Sequence, residues 1–357
     1  MPPGRRGDLG EKRRILVAMS GGVDSSTTAW RLLEEGHDVA GAFMSRGAVG
    51  GAPPTEAADG ARRVAERLGI PFTVLDLTED FTLLVDYFCS EYLRGRTPNP
   101  CSVCNPQIKF RRLLEEAGRQ GREFLATGHY ARIERDGGRV KLRRGLDPAK
   151  DQSYYLFSLS QAQLSRSMFP LGGMAKPEVR ELARKAGLPA AETEESQDIC
   201  FVPDKDYARL VRERLGPRVS PGEIVDVDGK VVGTHEGIVG FTIGQRRGVR
   251  VAMGEPVYVV EIDPAAHRVV VGPAERLLVG EFDAHNFNWL STPPEGPFAC
   301  GVQIRYNSTP KPATVTINGR FSVHVAFDEP QRAVTPGQCA VLYDGDVVLG
   351  GGWISGK

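Results

Sequence analysis

Hydrophobic and polar positions change rhythm partway along the chain. Between residue 14 and about residue 130, short apolar runs alternate with longer amphipathic stretches. The runs 14–19, 39–44, 72–77 and 124–128 have the β-branched, nearly unbroken apolar content of buried strands. The stretches 27–33, 57–68 and 81–93 have helical spacing, the first ending near Gly36. Alternation of strand and helix predicts a mostly parallel sheet covered by helices on both faces. Ligands of such sheets bind beyond the carboxyl ends of the strands, where the loops after Met19, Met44, Leu77 and Gly128 gather.

After about residue 205 the period shortens. Apolar runs at 222–229, 256–264, 313–317, 321–327 and 339–343 are separated by Asp-Gly and Asn-Gly turns, with one helical stretch near 206–215. This pattern predicts antiparallel sheets, small barrels among them. The expected organisation is a tail over 1–13, an α/β unit over 14–205, a central β-rich unit over 206–277 and a C-terminal β-barrel over 278–357.

Composition narrows the classes. Lys plus Arg and Asp plus Glu both total 45, so no global charge advertises a nucleic-acid partner, and any RNA surface has to be local. Arg94-Gly95-Arg96, Arg111-Arg112, 139–150 and Arg246-Arg247 with Arg250 are such patches, each ordinary as a solvated face. No apolar run approaches the roughly 20 residues of a membrane span, and no apolar stretch follows Met1-Pro2-Pro3-Gly4-Arg5-Arg6 as a secretion signal requires. A cytoplasmic protein is expected. Six cysteines are too sparse for a disulfide scaffold, so spaced thiols point to catalysis or metal binding.

Chemistry enters at Ser20-Gly21-Gly22-Val23-Asp24-Ser25-Ser26, between the first strand and the first helix. Two glycines allow a sharp turn and a close approach to an anion. Amides at the helix start, with the hydroxyls of Ser20, Ser25 and Ser26, suit phosphate oxygens. The lysine of a GxxxxGK[ST] loop is missing, so this is a phosphate loop of another kind. A second signal is Thr97-Pro98-Asn99-Pro100-Cys101-Ser102-Val103-Cys104-Asn105-Pro106. Its prolines predict an extended loop rather than a regular helix, with exposed thiols. The C-x-x-C spacing fits a redox pair, half a zinc site or cluster ligands; with no second C-x-x-C or H-x-x-x-H, zinc is the weaker fit. Cys200, between Ile199 and Phe201, reads alone as a buried structural thiol, as do Cys89, Cys300 and Cys339.

Together these motifs change the reading. The loop at 20–26 resembles that of the PP-loop ATP pyrophosphatases, the adenine nucleotide alpha hydrolase-like fold. Over nearly its whole length the chain resembles the tRNA-specific 2-thiouridylases. The likeness runs through 18–26, 95–100, Cys104-Asn105 with Ile108-Lys109-Phe110, Thr127–Arg132, Lys150–Tyr154, Ser196–Phe201, Gly244–Gly248 and 327–338. It implies ATP-dependent thiolation of the wobble uridine of tRNA, with Mg²⁺ beside the departing pyrophosphate. ATP would be held by Ala18, Met19, Ser20, Gly21, Gly22, Val23, Asp24 and Ser25, with Met44 and Gly128 at the base and ribose. Cys200 would carry a persulfide delivered by a sulfur-donor protein, and Cys104 would be the nucleophile that frees the sulfur, ending as a disulfide. Contacts to tRNA are implied for Asn99, His129, Lys150, Asp151 and Gln152, and for Arg305, Tyr306 and Gln338 near the C-terminus.

Two departures qualify the likeness. Cys101 stands where many relatives have Asp, so Cys101, Cys104 and Cys200 are also a candidate ligand set for an iron–sulfur cluster. Residues 45–60 are Gly- and Ala-rich and lack the longer polar segment of relatives. Two other classes remain at this stage: a different PP-loop ligase, which needs neither Cys104 nor Cys200, and an RNA-binding iron–sulfur or redox sensor, which needs no ATP.

Overall fold

The computed structural model describes residues 11–49, 51, 55–135, 138–189, 191, 199–251 and 253–355. Most of the expected tail (1–10) and part of the Ser196–Phe201 motif (196–198) fall outside the described residues. The chain divides into two compact units, one formed by 1–81 with 103–197 and the other by 82–102 with 198–357.

In the first unit, strand β1 (Arg14–Ala18), helix α1 (Val23–Glu34), β2 (Asp38–Ser45), α2 (Thr55–Leu68) and β3 (Phe72–Asp76) follow one another, and α3 (Thr78–Leu93) begins at its border. After the short helix α4 (Pro100–Cys104) come α5 (Phe110–Arg119) and β4 (Phe124–Ala126). The antiparallel hairpin β5 (Ala131–Arg135) and β6 (Val140–Arg144) then precedes two short helices, α6 (Ser153–Leu156) and α7 (Gln161–Ser165). Strand β7 (Ser167–Met168) and α8 (Lys176–Lys185) complete the unit.

Five strands form one parallel sheet in the order β3-β2-β1-β4-β7. Ile15, Leu16 and Val17 have no exposed surface at all. Helices therefore cover both faces of β1, which is why its sequence is apolar without alternation. The core gathers Ile15, Val17, Leu32, Val39, Phe43 and Val64. From β1 the chain builds outward through β2 to β3, then returns to place β4 on the other side of β1. That reversal makes the crevice above β1 and β4 the topological switch point, where ligands of open parallel sheets bind.

The prolines at 98–106 act differently from the expectation. The chain is helical from Pro100, with a π-helical turn over Asn105–Lys109 before α5. A proline at the first helical position loses nothing, because that N–H has no partner within a helix. Pro106 has no N–H to give the preceding turn, and the helix widens there until Phe110 N–H reaches the Asn105 carbonyl.

In the second unit, α9 (Tyr207–Leu215) leads to a four-stranded sheet, order β10-β11-β8-β9, of β8 (Gly222–Asp226), β9 (Val231–His235), β10 (Tyr258–Asp263) and β11 (Arg268–Gly272). Its β11–β8 pairing is parallel, unlike the all-antiparallel expectation. Strands β12 (Leu278–Trp289), β13 (Phe298–Gln303), β14 (Lys311–Gly319), β15 (Ser322–Arg332), β16 (Cys339–Asp344) and β17 (Val347–Ile354) follow. They pair in the order β12-β15-β14-β13-β16-β17, and β12 pairs again with β17, closing a six-stranded barrel. Alternate residues such as Val323, Val325 and Phe327 fill its interior.

Candidate active site

The crevice above β1 is built by the residues that read as a phosphate loop. Gly21 has φ +81°, and a Cβ there would lie 2.6 Å from the Ala57 carbonyl oxygen, so only glycine fits. Gly22 stands at the start of α1 with extended backbone, and no side chain caps the helix. The amides of that first turn face the loop with the positive end of the helix dipole behind them. Ser25 Oγ accepts the Ser20 N–H at 3.1 Å and donates to the Gly22 carbonyl at 3.1 Å, while Ser26 donates to the same carbonyl at 2.9 Å. Met19 and Val23 are buried; Ala18 closes β1. Met44 lies at the matching end of β2, in register with Leu75.

Gly128, just past β4, completes the floor. A Cβ there would meet the Asp24 carbonyl carbon and Cβ at 3.0 Å and the Ser25 nitrogen at 3.1 Å, so the strand end and the helix start touch backbone to backbone. Two residues that sequence reasoning left without a role close on the same point. Tyr130 Oη donates to Asp24 Oδ1 at 2.8 Å, and Lys176 Nζ lies 2.7 Å from both Asp24 oxygens. Lys176 is the first residue of α8, and nothing local in the sequence marks its partner 152 positions away.

His129 follows directly. Its ring stacks on Phe110 at 5.8 Å and meets Phe169 edge-on at 5.8 Å. Desolvation, with Lys109 close by, holds the imidazole well below its ordinary value, so it is neutral. Lys109 can only donate, so Nε2 at 3.4 Å accepts and Nδ1 carries the proton, donated to Thr127 Oγ1 at 2.6 Å.

The segment expected at tRNA behaves unevenly. Asp151 is buried, and its carboxylate accepts from Arg144 Nε, the Gly145 and Ser153 amides and the Ser153 hydroxyl at 2.8–3.0 Å. Gln152 exchanges two hydrogen bonds with the Tyr130 backbone. Both side chains therefore hold the loop that presents half-buried Lys150. The arginine patches are partly internal: Arg111 and Arg112 both clasp buried Asp80, at 3.0 Å. Cys104, at the end of α4, is buried.

In the second unit, Cys101 and Cys200 are exposed. The exposure of Cys101 matches the thiol display expected of this segment and the burial of Cys104 does not, while the exposure of Cys200 reverses its reading as a buried thiol. Asn99 is buried and accepts the Ser102 N–H at 3.2 Å, capping the start of α4. Gln338 donates its amide to the Thr97 carbonyl at 2.9 Å, and Thr97 N–H returns to the Pro336 carbonyl at 2.9 Å. The two motifs, far apart in sequence, meet as a clasp. Arg305 is exposed, giving one guanidinium nitrogen to the Arg332 carbonyl at 2.6 Å, with Tyr306 beside it half-buried. Among the described residues, no group of three or more His, Cys, Asp or Glu side chains is gathered to hold a metal ion, and no helix is long and apolar enough to cross a membrane.

Residues 13–204 match the tRNA methyl transferase HUP domain, 209–273 the tRNA methyl transferase PRC-barrel domain and 279–354 the aminomethyltransferase beta-barrel domain. The chain is 51% identical to the tRNA-specific 2-thiouridylase MnmA of Geobacter metallireducens, over 96% of this chain and 97% of that protein. It is 49% identical to the MnmA of Carboxydothermus hydrogenoformans, over 97% and 99%. To that of Geotalea uraniireducens it is 48% identical, over 96% and 95%.

Proposed function

The chain belongs to the tRNA-specific 2-thiouridylase family, and from that premise we propose that it thiolates C2 of the wobble uridine of tRNA at the expense of ATP. The observation that carries this reading is the uncapped start of α1 at the switch point, with Gly21 allowing the tight turn before it and Gly128 the close approach of the β4 end to its backbone. Methyl transfer, which the matching domain descriptions mention, fits less well: a sulfonium methyl donor carries no phosphate for such a loop to hold.

The chemistry needs a loop of this kind because a uridine C2 oxygen is a poor leaving group. Attack of that oxygen on the α-phosphorus, with loss of the N3 proton, forms the O–P bond. The bridging electron pair leaves with pyrophosphate. The terminal sulfur of a Cys200 persulfide then adds to C2, and AMP departs with the C–O electron pair. Attack of the Cys104 thiolate on Cys200 Sγ breaks the persulfide S–S bond, leaving sulfur on C2, a restored N3 proton and a Cys104–Cys200 disulfide for an external dithiol to reduce. Magnesium would sit on the triphosphate oxygens, with Asp24 as the carboxylate at the loop, offsetting charge on pyrophosphate. Contacts to tRNA are assigned in the first unit to His129 and the loop 150–152, and in the second, taken by itself, to Asn99, Arg305, Tyr306 and Gln338; the persulfide would come from a separate sulfur-donor protein.

The test is purified protein with ATP, a persulfide source and unmodified tRNA bearing a wobble uridine, read as retarded tRNA on a mercury gel. Thiolated product that vanishes in Cys104→Ser and in Cys200→Ser supports the reading. Full thiolation by either variant would sink the persulfide route, and pyrophosphate release that ignores tRNA would point to a different ligase.

A further inference from the structure

A phosphate loop without its own lysine leaves up to four negative charges of a triphosphate facing only amides and hydroxyls. The first unit places one ammonium at that spot. Lys176 is 6% exposed, far more buried than a lysine tolerates without a partner. Its Nζ lies 2.7 Å from each oxygen of Asp24, which stands on the first turn of α1, and 5.6 Å from the centre of the Tyr130 ring. The position is built rather than incidental. Lys176 opens α8, its own N–H donates to Asp147 Oδ2 at 3.1 Å, and Glu178 Oε2 accepts the preceding Ala175 N–H at 2.8 Å. Helices α1 and α8 are locked together by Val23, Ala183 and Leu188.

We infer that Lys176 is the triphosphate-binding ammonium of this enzyme, supplied from α8 in place of the lysine that the loop lacks. This inference rests on the reading of the loop as an ATP site. Asp24 holds the ammonium through both carboxylate oxygens, away from bulk water and at the helix start. A triphosphate seated on the loop amides meets Asp24 as a like charge and Lys176 as its counter-charge. The ammonium then shares its three N–H donors between the Asp24 carboxylate and the β- or γ-phosphate oxygens. As the bond to the α-phosphorus breaks, negative charge grows on the departing pyrophosphate, so a fixed ammonium helps the transition state more than the ground state. Asp24 is in this view the holder of the lysine as well as a ligand for magnesium.

The experiment compares affinity for ATP with affinity for adenosine, which carries no phosphate. Lys176→Met is expected to weaken ATP at least tenfold and leave adenosine within twofold, with kcat for pyrophosphate release falling more than KM for ATP rises. Lys176→Arg should recover most of the ATP preference. Because Lys176→Met alone strands the Asp24 carboxylate and can unfold the unit, the same substitution is also made on an Asp24→Asn background, where no carboxylate is left unpaired. There too, loss of the lysine should cost ATP at least tenfold and adenosine nothing. Equal losses for ATP and adenosine, or ATP affinity within twofold of the parent in both backgrounds, would assign Lys176 a purely structural role and overturn the inference. A parent protein that binds ATP no better than adenosine would overturn both this inference and the reading of the loop beneath it.

Discussion

Replacing Gly128 by Ala tests whether the contact between the end of β4 and the start of α1 sets the geometry of the nucleotide loop. The added Cβ would sit 3.0 Å from two atoms of Asp24 and 3.1 Å from the Ser25 nitrogen, against 3.4–4 Å for ordinary contact. Two of those neighbours are backbone, so relief has to come from moving the helix start by a few tenths of an ångström. Overpacking of this kind costs about 1–3 kcal/mol. Charged wholly to the loop, it weakens ATP roughly 5- to 150-fold. Shared with the fold, it appears instead as a fall in Tm of about 2–4 °C per kcal/mol for a unit of this size. Calorimetric titration with ATP and thermal melts with and without ATP separate the two. Gly118→Ala is the control of opposite sign: it is exposed in α5 with nothing within 4 Å of the new methyl, and should raise stability by about 0.5–1 kcal/mol while leaving ATP binding alone. Gly128→Ala with both ATP affinity and Tm unchanged would refute the argument. A lower Tm with unchanged affinity would show that the strain never reaches the phosphate amides.

Asp24→Ala should abolish pyrophosphate release while tRNA binding, measured by filter retention, stays within a few-fold; normal pyrophosphate production would remove Asp24 from the site. Lys150→Ala and Arg305→Ala should each weaken tRNA binding and flatten its salt dependence with ATP binding intact, and an unchanged salt slope in both would mean that neither touches phosphate. Cys101→Ser should retain most thiolation, because only Cys104 and Cys200 change covalent state; a brown, anaerobically purified parent that bleaches and loses activity as Cys101→Ser would favour a cluster instead. His129 has a lowered pKa in the fold, so the unfolded chain takes up more protons below about pH 6.5 and stability falls as pH drops through that point. His129→Phe should remove up to about 1.4 kcal/mol of that loss per pH unit below 6.5, seen as a shallower decline of Tm between pH 7 and pH 5. An equally steep decline would show that His129 does not titrate on unfolding.

The parallel sheet was legible because strands buried on both faces, such as 14–18, leave an unbroken apolar signature that loops and helices do not share. The closed barrel was legible as a class from alternation and turn residues, though the parallel β11–β8 pairing was not, since pairing direction leaves no mark on a strand's own pattern. The stretch 100–109 was misread because proline's effect depends on position: harmless at Pro100, helix-widening at Pro106. Within the site, Gly21 announced itself through a backbone demand that only glycine meets. Lys176 and Tyr130 did not, because an ion pair across 152 positions is a tertiary fact. The four internal donors of Asp151 were not legible, since a carboxylate that receives them has the same letter as one facing solvent.

The clasp between Thr97 and Gln338 has a consequence for the order of events during synthesis. The ribosome makes Thr97 long before Gln338, 241 positions later. Gln338 is itself set by Ile354, whose N–H donates to the Gln338 carbonyl at 2.8 Å while its own carbonyl accepts from Gly337 at 3.1 Å. Until residues 347–354 emerge, β12 and β16 each lack a neighbour and present open edges to other chains. The nascent protein therefore passes through a long interval with a complete phosphate loop and an unfinished segment around Asn99. It is at once most prone to self-association and short of the clasp that fixes the Thr97 backbone.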